Sequence, residues 1–198
     1  VSLAVPALAD LAIDLYVPGN TDKLPVTVHA ASWQTGYVSG TGNFSGAPRF
    51  AVKETTDFIR GQLPSASWFF LSRVEVVAPE QVGAVVTIGD SITDGTQSGN
   101  NTNSRWPDHL ARRFVQANVK MGVLNVGIGG NRMLSDGNGD SALARFDRDV
   151  LAQTGVTHVI LFEGMNDIQG NVANPPSAAD LIAADLQRVG RFELSGDP

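Results

Sequence analysis

The sequence predicts an α/β fold built on a parallel sheet and preceded by a β-rich segment. From residue 82 onward, short apolar strands alternate with amphipathic helices, which is typical of a parallel sheet covered by helices on both faces. Before residue 80, extended runs alternate with turns about every ten residues, as in all-β units. The 198 residues, 42% of them hydrophobic and 17% charged, are enough for one large domain or two small ones with a packed core.

The β-rich segment is predicted over residues 1–80. Residues 11–17 alternate in the manner of a strand, and the other extended runs are rich in β-branched and aromatic residues. These other runs are residues 25–31, 33–38 and 67–77. We expect a sandwich, or a sheet packed on a neighbour. Residues 78–80 (APE) are typical of a linker, so the domain boundary is predicted between 1–80 and 81–198.

The α/β part is predicted from three strands and three helices in alternation. The strands are residues 85–88, 123–126 and 156–162. The helices are residues 106–116, with Pro107 in the first turn, 141–153 and 177–189, the last two each beginning at a serine that can cap the helix.

Composition and charge exclude several classes of protein. The net charge is −6 and there is no run of Lys or Arg, which argues against a nucleic-acid partner. No apolar stretch is long enough to span a membrane. The absence of Cys excludes disulfides, thiolate zinc sites and Cys nucleophiles, and no cofactor or metal is implied. The chain begins with Val and lacks a basic leader region, so we expect a secreted or extracytoplasmic protein whose leader is not present here, or a fragment.

Polar, Gly-rich turns follow the three predicted strands, at residues 89–95, 125–132 and 163–168. If the first strand is central, the three turns lie side by side at one edge of the sheet and converge on one crevice. Parallel α/β sheets bind their ligands at this edge, beyond the carboxyl ends of the strands. Taken singly, each turn is open to other interpretations, such as a helix cap or an ordinary turn. The second turn does not match the dinucleotide-binding motif, which requires Gly at the position of Arg132. The first turn does not match a phosphate-binding loop, because no lysine follows Gly95, and this argues against a nucleotide-binding protein. Gly-x-Ser-x-Gly is absent, which argues against an ordinary α/β-hydrolase.

Together, the three turns resemble the signature of the SGNH (GDSL-type) hydrolase family. The family has Gly-Asp-Ser after the first strand, a Gly after the second and Gly-x-Asn-Asp after the third. Here these stand at residues 89–91, at Gly130 and at residues 164–167. The resemblance covers residues 82–190 and implies a flavodoxin-like three-layer SGNH-hydrolase fold. The upstream segment resembles the accessory β domain of some bacterial members.

The resemblance implies a carboxylic ester hydrolase, an esterase or lipase, acting through a serine nucleophile. Ser91 would attack the ester, and its backbone N–H, the Gly130 N–H and the Asn166 side chain would form the oxyanion hole. Asp90 and Asp94 are expected to stabilise the turn. The expected substrates are short-chain acyl or acetyl esters, acetylated carbohydrates included.

The sequence departs from the family in its general base. The family has Asp-x-x-His near its C-terminus, but none of His29, His109 and His158 has Asp three residues before it. We interpret all three as structural, with His109 on a solvent-facing helix side and His158 at the mouth of a buried strand. The alternative function is therefore a non-catalytic carbohydrate-binding module or pseudo-enzyme.

The sheet is also expected to be incomplete at its C-terminal end. The family's sheet has about five strands, whereas three are readable here. This implies a fragment or a natural variant, in which strand 156–162 has an unpaired apolar edge. We therefore expect self-association through that edge.

Overall fold

The computed structural model describes residues 3–23, 25, 27–29, 31–56, 67–78, 82–169 and 174–195. The chain divides into two compact units. The first unit is Val1–Val76 with Ser98–Asn103, and the second is Val77–Gln97 with Ser104–Pro198. The predicted boundary between residues 80 and 81, and the predicted linker after residue 78, lie outside the described residues.

The first unit is built on two antiparallel strand pairs. Strand β1 (Val28–His29) pairs with β4 (Trp68–Phe69), and β2 (Gly36–Ser39) pairs with β3 (Val52–Thr56). A β-rich segment therefore precedes the α/β part, as predicted. Among the described residues it consists of two separate two-stranded sheets, whereas the sequence predicts a sandwich or a sheet packed on a neighbour.

The predicted strand at residues 11–17 is wrong, because these residues form no strand. Every described residue from 3 to 20 is exposed, and within the described part of the chain no strand pairs with residues 11–17, so nothing there stabilises them as a strand. In their described residues, the extended runs predicted at 25–31, 33–38 and 67–77 contribute the short strands β1, β2 and β4.

The second unit alternates strands and helices. Its strands are β5 (Gly83–Gly89), β6 (Met121–Asn125) and β7 (Val156–Phe162). Its helices are α1 (Ser91–Asp94), α2 (Trp106–Gln116), α3 (Ala142–Phe146), α4 (Met165–Gln169) and α5 (Ala178–Ser195). The α2 and β7 bounds are those predicted. The predicted helix 141–153 is α3 followed by a π-helical turn, Asp147–Leu151.

Both predicted serine caps are formed. The Ala144 N–H donates to Ser141 Oγ at 3.3 Å. The Asp180 N–H donates to Ser177 Oγ at 3.2 Å, and the Ser177 N–H donates to Asp180 Oδ2 at 3.0 Å. The bonds from Ser177 lower the pKa of the Asp180 carboxyl. Within the described ranges, no helix combines the length and the apolar character needed to cross a membrane.

In the described part of the chain, the three strands of the second unit form a parallel sheet in the order β6-β5-β7. Both faces of the middle strand β5 are buried. Val86 and Ile88 belong to a core that also contains Phe146 and Val150, contributed by α3 and the π-helical turn. The middle position of β5 puts the turns after all three strands at one edge of the sheet, as the sequence predicted.

The outer strand β7 is covered on one face only. Val159 and Leu161 pack against the core, whereas His158, Ile160 and Phe162 are exposed. The expectation that both sheet faces are covered therefore holds for β5 and not for β7, and His158 does not lie in a buried strand. The reason is that β7 has β5 as its single neighbour in the described sheet and helical packing on one side.

Candidate active site

The first turn places a serine at the start of a short helix. Asp90 is the N-cap of α1, and its Oδ1 accepts a hydrogen bond from the Ile92 N–H at 2.9 Å, which is the turn-stabilising role expected of it. Ser91 is the first residue of α1, so its own N–H has no acceptor within the helix. Among the described residues, the Ser91 hydroxyl has no hydrogen-bond partner.

The second turn lies directly against the first. A side chain at Gly127 would collide with the backbone of Asp94, so only glycine permits this approach. The Ile128 N–H donates to the Gly89 carbonyl at 3.0 Å, which joins the second turn to the end of β5. Gly130 has φ of +76°, a conformation that L side chains rarely adopt.

The third turn is joined to the other two by one side chain. Asn166, on α4, donates from Nδ2 to the Asn131 carbonyl at 2.8 Å and to Asp90 Oδ2 at 3.4 Å. The first bond is short and the second is long. The amide is therefore held firmly to the second turn and only weakly to the first turn.

The histidines take no part in this arrangement. His109 is exposed on α2, as expected, with its Nδ1 at 3.2 Å from Arg112 Nη2. His158 Nδ1 lies 2.9 Å from Thr157 Oγ1. Neither of these histidines of the second unit hydrogen-bonds to Ser91 in the described part of the chain. His29 belongs to the first unit, where its ring packs against Trp68.

A cleft of about 640 Å³ opens beside the first and third turns. Its walls are mainly apolar and include Phe162, Met165 and Leu181. Asp90 and Glu163 contribute carboxyl groups to the lining. The volume is in the range of small-molecule sites.

The family model for the GDSL-like Lipase/Acylhydrolase family matches residues 85–195, more than half of the chain. The chain belongs to this family. The match spans all three turns. No curated protein matches the chain.

Several solved structures are similar to this GDSL-like chain. AlinE4, an SGNH-hydrolase family esterase, is 17% identical with a TM-score of 0.48, over 60% of this chain and 57% of that one. The acetyl xylan esterase AlAXEase is 19% identical with a TM-score of 0.42, over 57% of this chain and 53% of that one. An Axe2 variant, an acetyl xylan esterase from Geobacillus stearothermophilus, is 23% identical with a TM-score of 0.40, over 56% of each chain. The present chain thus spans a little over half the length of these proteins.

Sequence reasoning missed two buried charged residues that hold this GDSL-like site together. Asp167 accepts hydrogen bonds from the Met133 N–H at 2.7 Å and the Leu134 N–H at 3.2 Å, which joins the third turn to the chain beyond the second. The sequence feature that could have revealed Asp167 is its position directly after Asn166 in the Gly-x-Asn-Asp motif. Arg145 is buried on α3. The sequence feature that could have revealed it is its charge among the apolar residues of that helix.

Glu163, the residue after β7, is the third group that the sequence did not reveal. The pKa of its carboxyl is raised to about 7, mainly by burial and also by the charges of Asp90 and Asp167, while the Gly164 N–H and Arg145 act in the opposite direction. Its Oε1 accepts a hydrogen bond from the Gly164 N–H, while Oε2 is buried and has no hydrogen-bond partner among the described residues. Within the described ranges, no group of three or more His, Cys, Asp or Glu side chains is arranged to hold a metal ion.

Proposed function

We propose that this chain is a serine ester hydrolase that forms an acyl-enzyme on Ser91. Membership of the GDSL-like family supports the reaction class. The observation that supports the mechanism most strongly is the pair of hydrogen bonds from Asn166, which brings all three turns to one edge of the sheet. A nucleophile, a glycine N–H and an amide side chain are then available to one carbonyl group.

In the proposed reaction, Ser91 Oγ attacks the ester carbonyl carbon and its proton passes to a base. The carbonyl oxygen becomes an oxyanion that accepts hydrogen bonds from the Ser91 N–H, the Gly130 N–H and Asn166 Nδ2. Collapse of this intermediate breaks the bond to the alcohol, which leaves with a proton, and water then releases the acid from Ser91. The Ser91 N–H, which has no acceptor within its helix, and the long hydrogen bond from Asn166 to Asp90, which a substrate oxygen can replace, are consistent with these donor roles.

The proposed substrates are short-chain acyl or acetyl esters, with acetylated carbohydrates among them. The cleft beside Asp90 has room for a small acyl or alcohol group, and its apolar wall suits an alkyl chain. A secreted or extracytoplasmic location is part of this proposal. Fractionation of cells that express the complete gene tests the location.

Covalent labelling tests the nucleophile directly. We expect a fluorophosphonate probe to label Ser91, and Ser91→Ala to abolish both labelling and turnover of p-nitrophenyl acetate. Ser45→Ala is a matched control, because Ser45 lies on the exposed surface of the first unit. Wild-type turnover in the Ser91→Ala variant would refute the assignment.

A non-catalytic function is favoured by a different observation. The Ser91 hydroxyl has no partner among the described residues, and both histidines of its unit have other neighbours. In this alternative, the chain binds carbohydrate without cleaving it. A folded chain that binds acetylated xylo-oligosaccharides in calorimetry, without labelling of Ser91, would support it.

A further inference from the structure

We propose that Arg145 is a positioning residue that sets the geometry of the oxyanion hole without touching the substrate. The inference rests on the proposed function, because the oxyanion hole is part of it. Arg145 lies on α3, behind the turns that follow β5 and β6. Its residue surface is 1% exposed, so no substrate can reach the guanidinium.

The guanidinium of Arg145 joins parts of the chain that are distant in sequence. Its Nη2 donates to the Gly89 carbonyl at 3.3 Å, at the end of the strand that leads to the nucleophile. Its Nη1 donates to the Val126 carbonyl, just beyond the neighbouring strand. Its Nε donates to Asn131 Oδ1 at 3.1 Å, and Asp149 Oδ2 lies 3.2 Å from Nη1. One side chain therefore fixes the spacing of the first two turns.

Asn131 transmits this geometry to both of the other proposed donors. It directly follows Gly130, and its amide Nδ2 donates to the carbonyls of Asn138 at 3.0 Å and Asp140 at 2.8 Å. Its own carbonyl accepts the short hydrogen bond from Asn166. A displacement of Asn131 would therefore move Gly130 and Asn166 together.

The choice of arginine is explained by geometry. Burial lowers the pKa of Arg145, whereas the hydrogen bond and the charge of Asp149 act in the opposite direction. The protein therefore keeps this cation buried although burial costs solvation free energy. Buried ion pairs are weak evidence for stability, since apolar residues often replace them without loss. Lysine would keep the charge but not the planar fork that reaches several acceptors at once.

Nuclear magnetic resonance tests the positioning role without any need for turnover. We expect Arg145→Lys to shift the backbone amide signal of Gly130 and the side-chain amide signal of Asn166. Asp149→Asn is the matched control, because it removes the negative charge from the contact of Arg145 that leads away from the turns. Unchanged signals in Arg145→Lys, or equal shifts in the control, would overturn the proposal. Arg145→Gln replaces the lysine variant if that variant does not fold.

Kinetics test the consequence for catalysis. We expect Arg145→Lys to lower kcat by about 10- to 100-fold, because a displacement of about 1 Å costs this much, while KM changes little. Asn166→Ala should lower kcat by about 10²- to 10³-fold. In that background Arg145→Lys should cost less than in the wild type, because part of its effect passes through Asn166.

Additive losses, or a change confined to KM, would contradict the proposal. The absence of Ser91-dependent turnover in the wild-type chain would instead refute the proposed function. The resonance experiment would in that case still decide whether Arg145 positions the two donors.

Discussion

The two units of this chain use apolar residues in different ways. In the first unit, Trp33 is the one hydrophobic residue of the described part that is buried, and the strands have two to five residues. In the second unit, β5 has seven residues and buries both faces against helices and neighbouring strands. Both units hold apolar side chains, but among the described residues only the second unit gathers them into a buried core.

Two segments with strand-like sequences show the cause. Residues 11–17 have a large aliphatic residue at every second position, yet they form no strand and all of them are exposed. Residues 156–162 form β7, because β5 supplies the backbone partners and the core receives Val159 and Leu161. A strand is therefore decided by its neighbours as much as by its own pattern.

The largest expected effect is on kcat, when the second unit is given the Asp-x-x-His motif that its sequence lacks. Because Ser91 has no histidine partner in the described part of that unit, we expect the Ser91-dependent turnover of this chain alone to be weak but measurable. Extension by a C-terminal segment with Asp-x-x-His should raise kcat on p-nitrophenyl acetate by a factor on the order of 10⁴ to 10⁶. Equal turnover without the extension would contradict this and would direct the search for a base to His109.

The difference in packing predicts a difference in stability. Phe146→Ala should lower the free energy of unfolding by about 3–5 kcal/mol, because Phe146 is fully buried and its ring also lies under the Arg188 guanidinium. Phe44→Ala, in the first unit, should cost less than about 1 kcal/mol, because that side chain is 39% exposed. Urea unfolding of both variants measures the difference. Equal losses would show that the first unit has a core of its own.

Protonation of Glu163 should make stability depend on pH. Its pKa is raised from 4.5 to about 7 on folding, so the folded protein binds the proton more tightly than the unfolded chain. This stabilisation is complete below pH 4.5 and is lost as the pH rises to about 7. Glu163→Gln should remove the dependence and, at pH 8, stabilise the protein by about 1–2 kcal/mol after allowance for partial solvent screening. Melting curves at pH 5 and pH 8 measure this, and parallel pH profiles would contradict it.

The smallest expected effect is self-association through β7. Ile160 and Phe162 are exposed on a strand whose outer edge has no partner in the described sheet. Ile160→Lys should therefore lower the average mass of the chain in light scattering. Val38→Lys makes the same change at an exposed position of β2 in the first unit and should leave the mass unchanged. A monomeric wild type would refute the prediction.

The local features of the second unit could be predicted from the sequence alone. The bounds of α2 and β7 and the serine caps of α3 and α5 follow from signals within a few residues. The convergence of the three turns is expected from the sequence only if β5 is the middle strand, as the sheet order has it. Glycine is required where the second turn approaches the first, and Asp90 caps the turn that presents Ser91. These features depend on backbone conformation and on alternation of apolar residues, which nearby residues largely determine.

The tertiary structure alone decided which distant groups meet. Asp167 accepts a hydrogen bond from the backbone beyond the second turn, and Arg145 joins the first two turns. The Glu163 carboxyl is buried at the end of β7. Hydrogen bonding and burial of this kind depend on elements that are far apart in the chain, and no local pattern specifies them. The same physics explains the first unit, where strand-like sequence without a partner stays unpaired.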